Sequence, residues 1–252
     1  MNKLTLTVLL FTWSFYSLNA QNNKSGVFRI PQDQLAGEGL TFRESKLEVY
    51  QKKVYDGAEL GIYMVAIGNG TNEFEDFPIE EFIFWMNGKA KVEPHQGEPF
   101  EVQTGDYFIQ AKGYKGKWSF VGKDKIHLEL AVVAKQRSDS SLRSPISKAM
   151  VIDRNILSGA SKNHQEPIAE VYSGVELAVN LINKEYKTSQ NQEKEKLLQV
   201  LNGILKVTSE DGATDTFYPG DFLVIPKNFK GQCESVGFQT LRAFEVYSAT
   251  GS

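Results

Sequence analysis

The chain contains an internal repeat, and this repeat constrains the fold more than any other feature of its 252 residues. Three segments of the first half recur in the second half in the same order. The first pair is separated by 117 residues and the other two by 115, so the copies differ in length in one loop. The matching pairs are Val54–Leu60 with Val171–Leu177, Met86–Val92 with Leu201–Val207, and Thr104–Ile109 with Pro219–Val224. The repeat predicts two copies of one domain.

The repeat and the composition between its blocks also predict the domain boundaries. We expect the first domain at residues 38–135 and the second at residues 150–250. Residues 136–149 are polar and rich in serine, which is typical of a linker.

Each copy has the pattern of an all-β domain. Phe82–Met86 is a short apolar run that ends at Asn87 and Gly88. The Asn-Gly pair predicts a hairpin turn because both residues tolerate a positive φ, and Lys89–Val92 would be the return strand. Short strands between turn residues at this spacing predict a sandwich or a barrel.

The pattern also predicts how two further segments fold. Residues Lys125–Ala134 predict a strand that closes the first domain. Residues Asn191–Leu201 are compatible with a helix when taken alone, but the repeat predicts that this stretch ends in a strand.

The first twenty residues have the pattern of a signal peptide. Lys3 supplies a positive charge, and the apolar run Leu4–Tyr16 is shorter than the roughly 20 residues of a membrane span. We expect cleavage after Ala20 and an exported product, either periplasmic or secreted. No other stretch is long and apolar enough to predict a stable membrane span.

Charge and cysteine content exclude several functions. The chain has 28 basic and 31 acidic residues, a net charge of −3, and no basic cluster, so no nucleic-acid partner is expected. Cys233 is the single cysteine and cannot form an internal disulfide. No histidine is near it in the sequence, so a buried, inert thiol is predicted rather than a nucleophile.

The residues around the turns resemble the cupin superfamily. The resemblance rests on an acidic residue before a strand that ends at Gly88, a turn at Gly97, and the Gly105-Asp106 turn. The Lys-Gly-x-Trp segment Lys115–Trp118 is similar to the ureidoglycine aminohydrolase-type cupin domain, a group that includes ethanolamine-utilisation cupins. This resemblance implies two tandem cupin (jelly-roll-like) β-barrels and a small-molecule ligand. It also implies a homodimer formed through edge strands, or instead an intramolecular pseudo-dimer of the two domains.

Cupins usually hold one metal ion through a His-x-His pair, a glutamate and a later histidine, and most of these positions are changed here. Only Glu81, seven residues before Gly88, carries a ligating side chain. The other positions fall on Phe74–Phe77 and Gly116 in the first copy, and on Lys196, residues around Ser189–Asn191, and Gly231 in the second. We therefore expect no metal and no cofactor at the family's usual position.

The three histidines do not rebuild that site in the sequence. His95 and His164 lie in segments with loop composition, where surface positions are expected. His127 and Glu129 share one face of a predicted strand, and we interpret this face as the polar outer face of the barrel. The alternative is that they form half of a metal site.

The remaining candidates suggest a ligand site in the first domain. Tyr63, Glu81, Trp85 and Trp118 could line a pocket, although large aromatic residues also fill β-cores. Glu81 is also the one candidate for a catalytic residue. It either points inward as a buried carboxyl or faces solvent at the start of its strand.

Three functional hypotheses follow from the sequence. The first is an exported bicupin without the usual metal ligands, which binds a small polar ligand without catalysis. The second is a metal-independent isomerase, lyase or hydrolase that uses Glu81 in the first domain. The third is a metalloenzyme of the ureidoglycine aminohydrolase type, with ligands from unexpected positions such as His127 and Glu129.

Overall fold

The computed structural model describes residues 24–122, 126–146, 149–161, 166–184, 187–189 and 192–250. The predicted signal peptide and His164 lie outside the described residues.

The first half of the chain consists almost entirely of strands. Its elements are β1 (Phe28–Arg29), α1 (Gln32–Leu35), β2 (Thr41–Arg43), β3 (Val49–Asp56), β4 (Leu60–Gly68), β5 (Gly70–Phe74), β6 (Glu81–Asn87), β7 (Lys89–Pro94), β8 (Phe100–Gln103), β9 (Tyr107–Gln110), β10 (Gly116–Phe120) and β11 (Ile126–Ala134). Strand β11 confirms the strand that was predicted to close the first domain.

The second half repeats this arrangement. Its elements are β12 (Met150–Val151), α2 (Arg154–Ser158), β13 (Ile168–Ser173), β14 (Leu177–Lys184), β15 (Lys187–Ser189), β16 (Lys196–Asn202), β17 (Ile204–Ser209), β18 (Thr214–Phe217), β19 (Phe222–Ile225), β20 (Gly231–Val236) and β21 (Leu241–Ser248). The ambiguous stretch before Leu201 therefore ends in strand β16, as the repeat predicts. Within the described residues, no helix is long and apolar enough to cross a membrane.

Each half builds a barrel from one large and one small antiparallel sheet. In the first barrel the large sheet has the order β12-β9-β6-β11-β4-β3-β2 and the small sheet the order β5-β10-β7-β8. In the second barrel the orders are β1-β19-β16-β21-β14-β13 and β15-β20-β17-β18. Strands that correspond in the repeat occupy matching positions. The predicted all-β fold of two tandem jelly-roll-like barrels is confirmed.

The two barrels exchange their first strands. β1 pairs with β19 of the second barrel, where Phe28 lies opposite Val224. β12 pairs with β9 of the first barrel, where Met150 lies opposite Ile109. Each large sheet is therefore completed by a strand from the other half of the chain.

The two large sheets pack against each other through an apolar core that contains residues of both barrels. The ring centroid of Phe244 in the second barrel lies 5.8 Å from that of Phe82 and 4.9 Å from that of Tyr107. Alternating side chains of a strand point to opposite faces of the sheet. In β6, Phe82 therefore faces this interface, whereas Ile83 and Trp85 face the interior of the first barrel.

The turn at Asn87 and Gly88 does not form the predicted hairpin. Gly88 has the expected positive φ of 86°, and a side chain there would collide with His127. However, β6 pairs with β9 and β11, whereas β7 pairs with β8 and β10. The turn carries the chain from the large sheet to the small sheet. Local turn chemistry predicts the bend, but burial of each strand in its own sheet decides the pairing.

Candidate functional site

A cavity of about 150 Å³ lies inside the first barrel. Its wall is formed by the apolar residues Leu47, Val49, Ile67, Phe74, Phe77, Ile83, Phe108, Trp118 and Phe120 and by the polar residues Ser45, Lys46, Asn72, Glu81, Gln110 and Glu129. A mainly apolar wall with a few polar groups is typical of small-molecule sites. An engineered apolar cavity of about 150 Å³ in another protein binds benzene. By volume, the first-barrel cavity therefore suits a ligand with one small ring.

Glu129 faces this cavity and not the solvent. It shares a face of β11 with His127, as the alternation predicts, but Glu129 is only 8% exposed and His127 only 1%. The expected polar outer face is therefore wrong. The opposite face of β11, which carries Leu128 and Leu130, packs in the core between the barrels, and Ile126 at the start of the strand is its one exposed residue.

Glu81 also contributes to the cavity wall. It begins β6, and its cross-strand neighbour is Gln110 at the end of β9. Side chains directly opposite each other in an antiparallel pair lie on the same face, about 5 Å apart at their Cβ atoms. Of the two alternatives for Glu81, the structure adopts the inward orientation.

The Gln110 side chain is buried without a hydrogen-bond partner among the described residues. It is 3% exposed, and neither its Oε1 nor its Nε2 atom is bonded. A buried amide without partners costs on the order of 1–3 kcal/mol. A bound ligand that supplies the missing hydrogen bonds would remove this cost.

Burial changes the acidity of both carboxyl groups. It raises the pKa of Glu81 to about 7, although the positive charge of Arg137 acts in the opposite direction. It raises the pKa of Glu129 to about 8, and the charge of Glu81 adds to this effect. Two carboxyl groups that share a cavity resist simultaneous ionisation. The cavity therefore holds at least one proton at neutral pH.

Of the four residues predicted to bind a ligand, the structure places two in the cavity wall. Glu81 and Trp118 line it, whereas Trp85 is buried behind Trp118 with the ring centroids 6.3 Å apart. Tyr63 is half-buried outside the wall, with its ring 5.8 Å from Lys53 Nζ.

Sequence reasoning did not select Gln110 or Glu129 for the ligand site. The available signal was period-two alternation combined with strand pairing. Gln110 lies opposite Glu81, and Glu129 lies opposite Trp85.

The side chain of His127 is held by hydrogen bonds at the end of the barrel. The Lys89 backbone N–H donates to Nδ1 at 3.1 Å, and Nε2 lies 3.0 Å from Asn69 Oδ1. Because Nδ1 accepts, Nε2 carries the proton and donates to the asparagine. Both ring nitrogens are thus engaged, and His127 does not reach the cavity wall.

Glu80 fixes the chain immediately before Glu81. Its carboxylate accepts hydrogen bonds from the Ser144 and Tyr172 hydroxyls at 2.5 and 2.7 Å. It also accepts bonds from backbone N–H groups at the turn before β14 in the second barrel. The docking of the second barrel therefore determines where Glu81 enters the first-barrel cavity.

The side chains present do not fit the metal site that the family resemblance implies. Among the described residues, no group of three His, Cys, Asp or Glu side chains converges. The cavity offers Glu81 and Glu129 as carboxylate ligands but no imidazole, because His95 lies in an exposed turn and His127 is bonded elsewhere. Transition-metal sites in proteins need about three or four convergent ligands.

The second barrel does not repeat this arrangement. The positions of Glu81, Gln110 and Trp118 are occupied by Lys196, Ile225 and Cys233. Lys196 forms an ion pair with Glu245, and Ile225 and Cys233 belong to an apolar cluster that fills the interior. The predicted buried state of Cys233 is confirmed, since it is 1% exposed.

Comparison with known proteins identifies relatives of this fold. The family model of the EutQ-like cupin domain matches residues 57–122 and 185–242. No curated protein matches the sequence. Similar solved structures include protein Ylba from E. coli, with a TM-score of 0.60, 13% identity and coverage of 94% of this chain and 96% of that one.

Two other solved structures are also similar. One is a cupin 2 conserved barrel domain protein from Leptotrichia buccalis, with a TM-score of 0.56, 12% identity and coverage of 85% and 94%. The other is salicylate 1,2-dioxygenase from Pseudoaminobacter salicylatoxidans, with a TM-score of 0.60, 12% identity and coverage of 92% and 84%. At this level of identity the similarity concerns the fold alone.

Proposed function

The chain belongs to the cupin superfamily and carries two EutQ-like cupin domains, and on this premise we propose that it is an exported bicupin that binds a small polar ligand without catalysis. The ligand occupies the first-barrel cavity. The observation that carries this proposal is the buried Gln110 amide, which faces the cavity with both polar atoms unbonded by described residues. A ligand that hydrogen-bonds to this amide would offset the cost of its burial.

The second barrel serves as a scaffold in this proposal. Its interior is filled by apolar side chains, and the charges of Lys196 and Glu245 match each other in an ion pair. Its turn before β14 holds Glu80 and thereby positions Glu81. We assign binding to one barrel and structural support to the other.

Binding is proposed to need no metal ion. The carboxyl groups of Glu81 and Glu129 are available to the ligand, and the imidazole of His127 is engaged by Lys89 and Asn69. Polar recognition is then provided by the two carboxyls and the Gln110 amide, and apolar recognition by the aromatic wall.

Tryptophan fluorescence provides a direct test. The chain has three tryptophans, and the mature protein expected after cleavage at Ala20 lacks Trp13 and retains only Trp85 and Trp118, both in the first barrel. A panel of compounds with up to about ten non-hydrogen atoms would be titrated into this mature protein, since the cavity has room for about one small ring. We expect at least one class of compound to change the emission saturably and to raise the melting temperature.

A pair of buried glutamines supplies the matched control. Gln110→Leu is expected to weaken binding of any such compound by about tenfold or more, the loss of one or two buried hydrogen bonds. Gln199→Leu changes a glutamine that is also buried but does not line the cavity, and binding should persist. The proposal would be contradicted if the two substitutions had equal effects on binding, or if no compound of the panel changed the fluorescence saturably.

A second candidate function is a metal-independent isomerase, lyase or hydrolase. The observation that favours it is the pKa of Glu81, raised by burial to about 7, because a general base works best near the ambient pH. In that case Glu81→Gln should abolish turnover of a bound compound but leave its fluorescence titration nearly unchanged. Turnover that survives Glu81→Gln would exclude this role.

A further inference from the structure

We propose that the ligand of the first-barrel cavity is a small organic cation, an amine or ammonium compound whose charged group lies between Glu81 and Glu129. This inference rests on the proposed function and specifies the class of compound. Four features of the cavity support it: its carboxyl groups, its aromatic wall, its unbonded amide and the positions of the nearby basic residues.

Among the described residues of the cavity wall, the two carboxyl groups and Lys46 are the only acidic or basic side chains. Neither Glu81 nor Glu129 forms a hydrogen bond or an ion pair with a described residue. A cationic group placed between them would supply both charge and hydrogen-bond donors. It would offset the burial that raises the pKa of each carboxyl, and the charge of Glu81 that raises the pKa of Glu129 further.

The aromatic wall suits the same chemistry. Phe74, Phe108, Trp118 and Phe120 line the cavity. Aromatic faces attract cations within about 6 Å of the ring centroid, and they also accept the apolar part of an organic amine. An inorganic cation would gain little from such a wall, because hard cations prefer oxygen ligands.

The Gln110 amide provides the observation that is independent of the carboxyl pair. Its unbonded Oε1 accepts a hydrogen bond from an N–H donor, and its Nε2 donates to a further polar atom of the ligand. Because Gln110 lies opposite Glu81 in the sheet, one ammonium group is placed to reach both oxygens.

Two basic residues lie near the cavity, Lys46 in its wall and Arg137 within electrostatic reach of Glu81, and neither forms an ion pair with the two carboxyl groups. Lys46 belongs to the wall but is exposed at its rim, and it forms no ion pair with Glu81 or Glu129 among the described residues. Arg137 lowers the pKa of Glu81 through its charge, but its guanidinium lies 3.5 Å from a carboxylate oxygen of Glu176. An anionic ligand would thus meet two acidic groups and no buried cation.

Three compounds of nearly equal shape test the charge preference. Benzylamine, benzyl alcohol and benzoate would be titrated into the mature protein by fluorescence and calorimetry at about pH 8, where both carboxyls are largely or partly ionised. We expect benzylamine to bind at least about tenfold more tightly than benzyl alcohol, because a hydrogen bond to a charged group is stronger than a neutral one. Benzoate is expected to show no binding.

Titration at two pH values and in one variant then links this preference to the two carboxyls. Lowering the pH to about 6 protonates them and should weaken benzylamine binding several-fold without changing that of benzyl alcohol. Glu129→Gln should have the same selective effect and is expected to fold, because it replaces a buried acid by a neutral isostere. The exposed substitution Glu101→Gln is the control and should change neither affinity.

The outcomes separate this inference from the proposed function. If benzyl alcohol or benzoate binds as tightly as benzylamine or more tightly, the ligand is not a cation, but the cavity remains a binding site. The same conclusion follows if other members of the compound panel bind and benzylamine does not. If no compound of either set binds, both proposals fail.

Discussion

Glu80 and Glu195 stand at the same position of the repeat, and each carboxylate accepts three backbone hydrogen bonds from a turn of the opposite barrel. Each turn precedes a long strand of the partner barrel, β14 or β4, and each carboxylate also accepts from a tyrosine hydroxyl. The donors are the N–H groups of Val175, Glu176 and Leu177 at 2.8–3.0 Å for Glu80, and those of Ala58, Glu59 and Leu60 at 2.8–3.2 Å for Glu195. The two barrels are thus joined by reciprocal, nearly symmetric contacts.

The lysines of the repeat complete these contacts. Lys112 Nζ lies 3.1 Å from Glu176, whose other oxygen accepts from the Glu80 backbone N–H. In the opposite contact, Lys227 Nζ lies 2.6 Å from Glu59, which accepts from the Glu195 backbone N–H. The polar residues shared by the two copies therefore serve the joint between the barrels rather than the cavity.

Removal of either carboxylate should destabilise the protein by a similar amount. Glu80→Gln and Glu195→Gln are each expected to lower the free energy of unfolding by about 2–4 kcal/mol, because several hydrogen bonds to a charged acceptor are weakened. Urea denaturation measures this change. The exposed substitution Glu101→Gln should stay within about 0.5 kcal/mol of the wild type. A loss confined to one of the two glutamates would contradict the symmetric joint.

Gly174 permits the turn to approach Glu80. A side-chain carbon at Gly174 would overlap the Glu80 carboxylate, and the same holds for Gly57 and Glu195. Gly174→Ala should cost about 3 kcal/mol, since overpacking and loss of carboxylate bonds combine. Gly212 has a φ of 85° but open space, so Gly212→Ala should cost only about 1–2 kcal/mol.

The comparison of these two alanine variants by thermal unfolding tests the steric argument. A double variant that also carries Glu80→Ala should lose less than the sum of the single effects, because both changes act on one contact. Strict additivity would show that Gly174 matters for another reason.

The free energy of unfolding should fall as the pH rises through neutrality. The pKa values of Glu81 and Glu129 are raised in the folded state from 4.5 to about 7 and about 8. The folded state therefore holds more protons than the unfolded state between about pH 4.5 and pH 8, and stability declines there by up to about 1.4 kcal/mol per pH unit for each group.

Substitution of both carboxyls isolates this contribution. The Glu81→Gln/Glu129→Gln protein should show a flatter pH profile in urea denaturation and exceed the wild type in stability near pH 8. Other titrating groups are common to both proteins and cancel in the difference. Parallel profiles for the two proteins would mean that neither carboxyl is protonated in the folded state at neutral pH.

Gln110→Leu should stabilise the free protein while it weakens ligand binding. The substitution removes a buried amide that no described residue bonds, and Ile225 at the same position of the second barrel shows that an aliphatic side chain is accommodated there. We expect a gain of about 1–2 kcal/mol in the free energy of unfolding. Thermal unfolding without added compound is the measurement, and a loss of stability would show that the amide has a structural role.

Loss of one partner of the ion pair in the second barrel should destabilise the protein more than loss of both partners. Glu245 is 3% exposed and is paired with Lys196. Lys196→Met leaves a buried carboxyl without its cation and should cost about 3 kcal/mol or more, whereas Lys196→Met/Glu245→Leu should recover most of the loss. Urea denaturation of the two variants provides the comparison, and an unrescued double variant would show that the charges do more than neutralise each other.

The repeat and the apolar runs in the sequence were sufficient to predict the fold class and several of the strands. They predicted two copies of an all-β domain, the strand that contains Leu201, the closing strand that ends at Ala134 and the buried thiol of Cys233. These features depend on local alternation of apolar and polar residues and on which side chains avoid water. Both properties follow directly from the order of the amino acids. The same alternation correctly placed His127 and Glu129 on one face of β11.

Only the tertiary structure decided which face is inside and which segments meet. The packing of the two large sheets buries the second face of β11, so Glu129 turns into the cavity although the sequence favoured an outer face. The opposition of Gln110 to Glu81, and the approach of Glu80 to the turn at Gly174, join residues 29 and 94 positions apart in the chain. Local sequence patterns carry no information on such pairings, because the partners are selected by burial of whole sheets rather than by neighbouring residues.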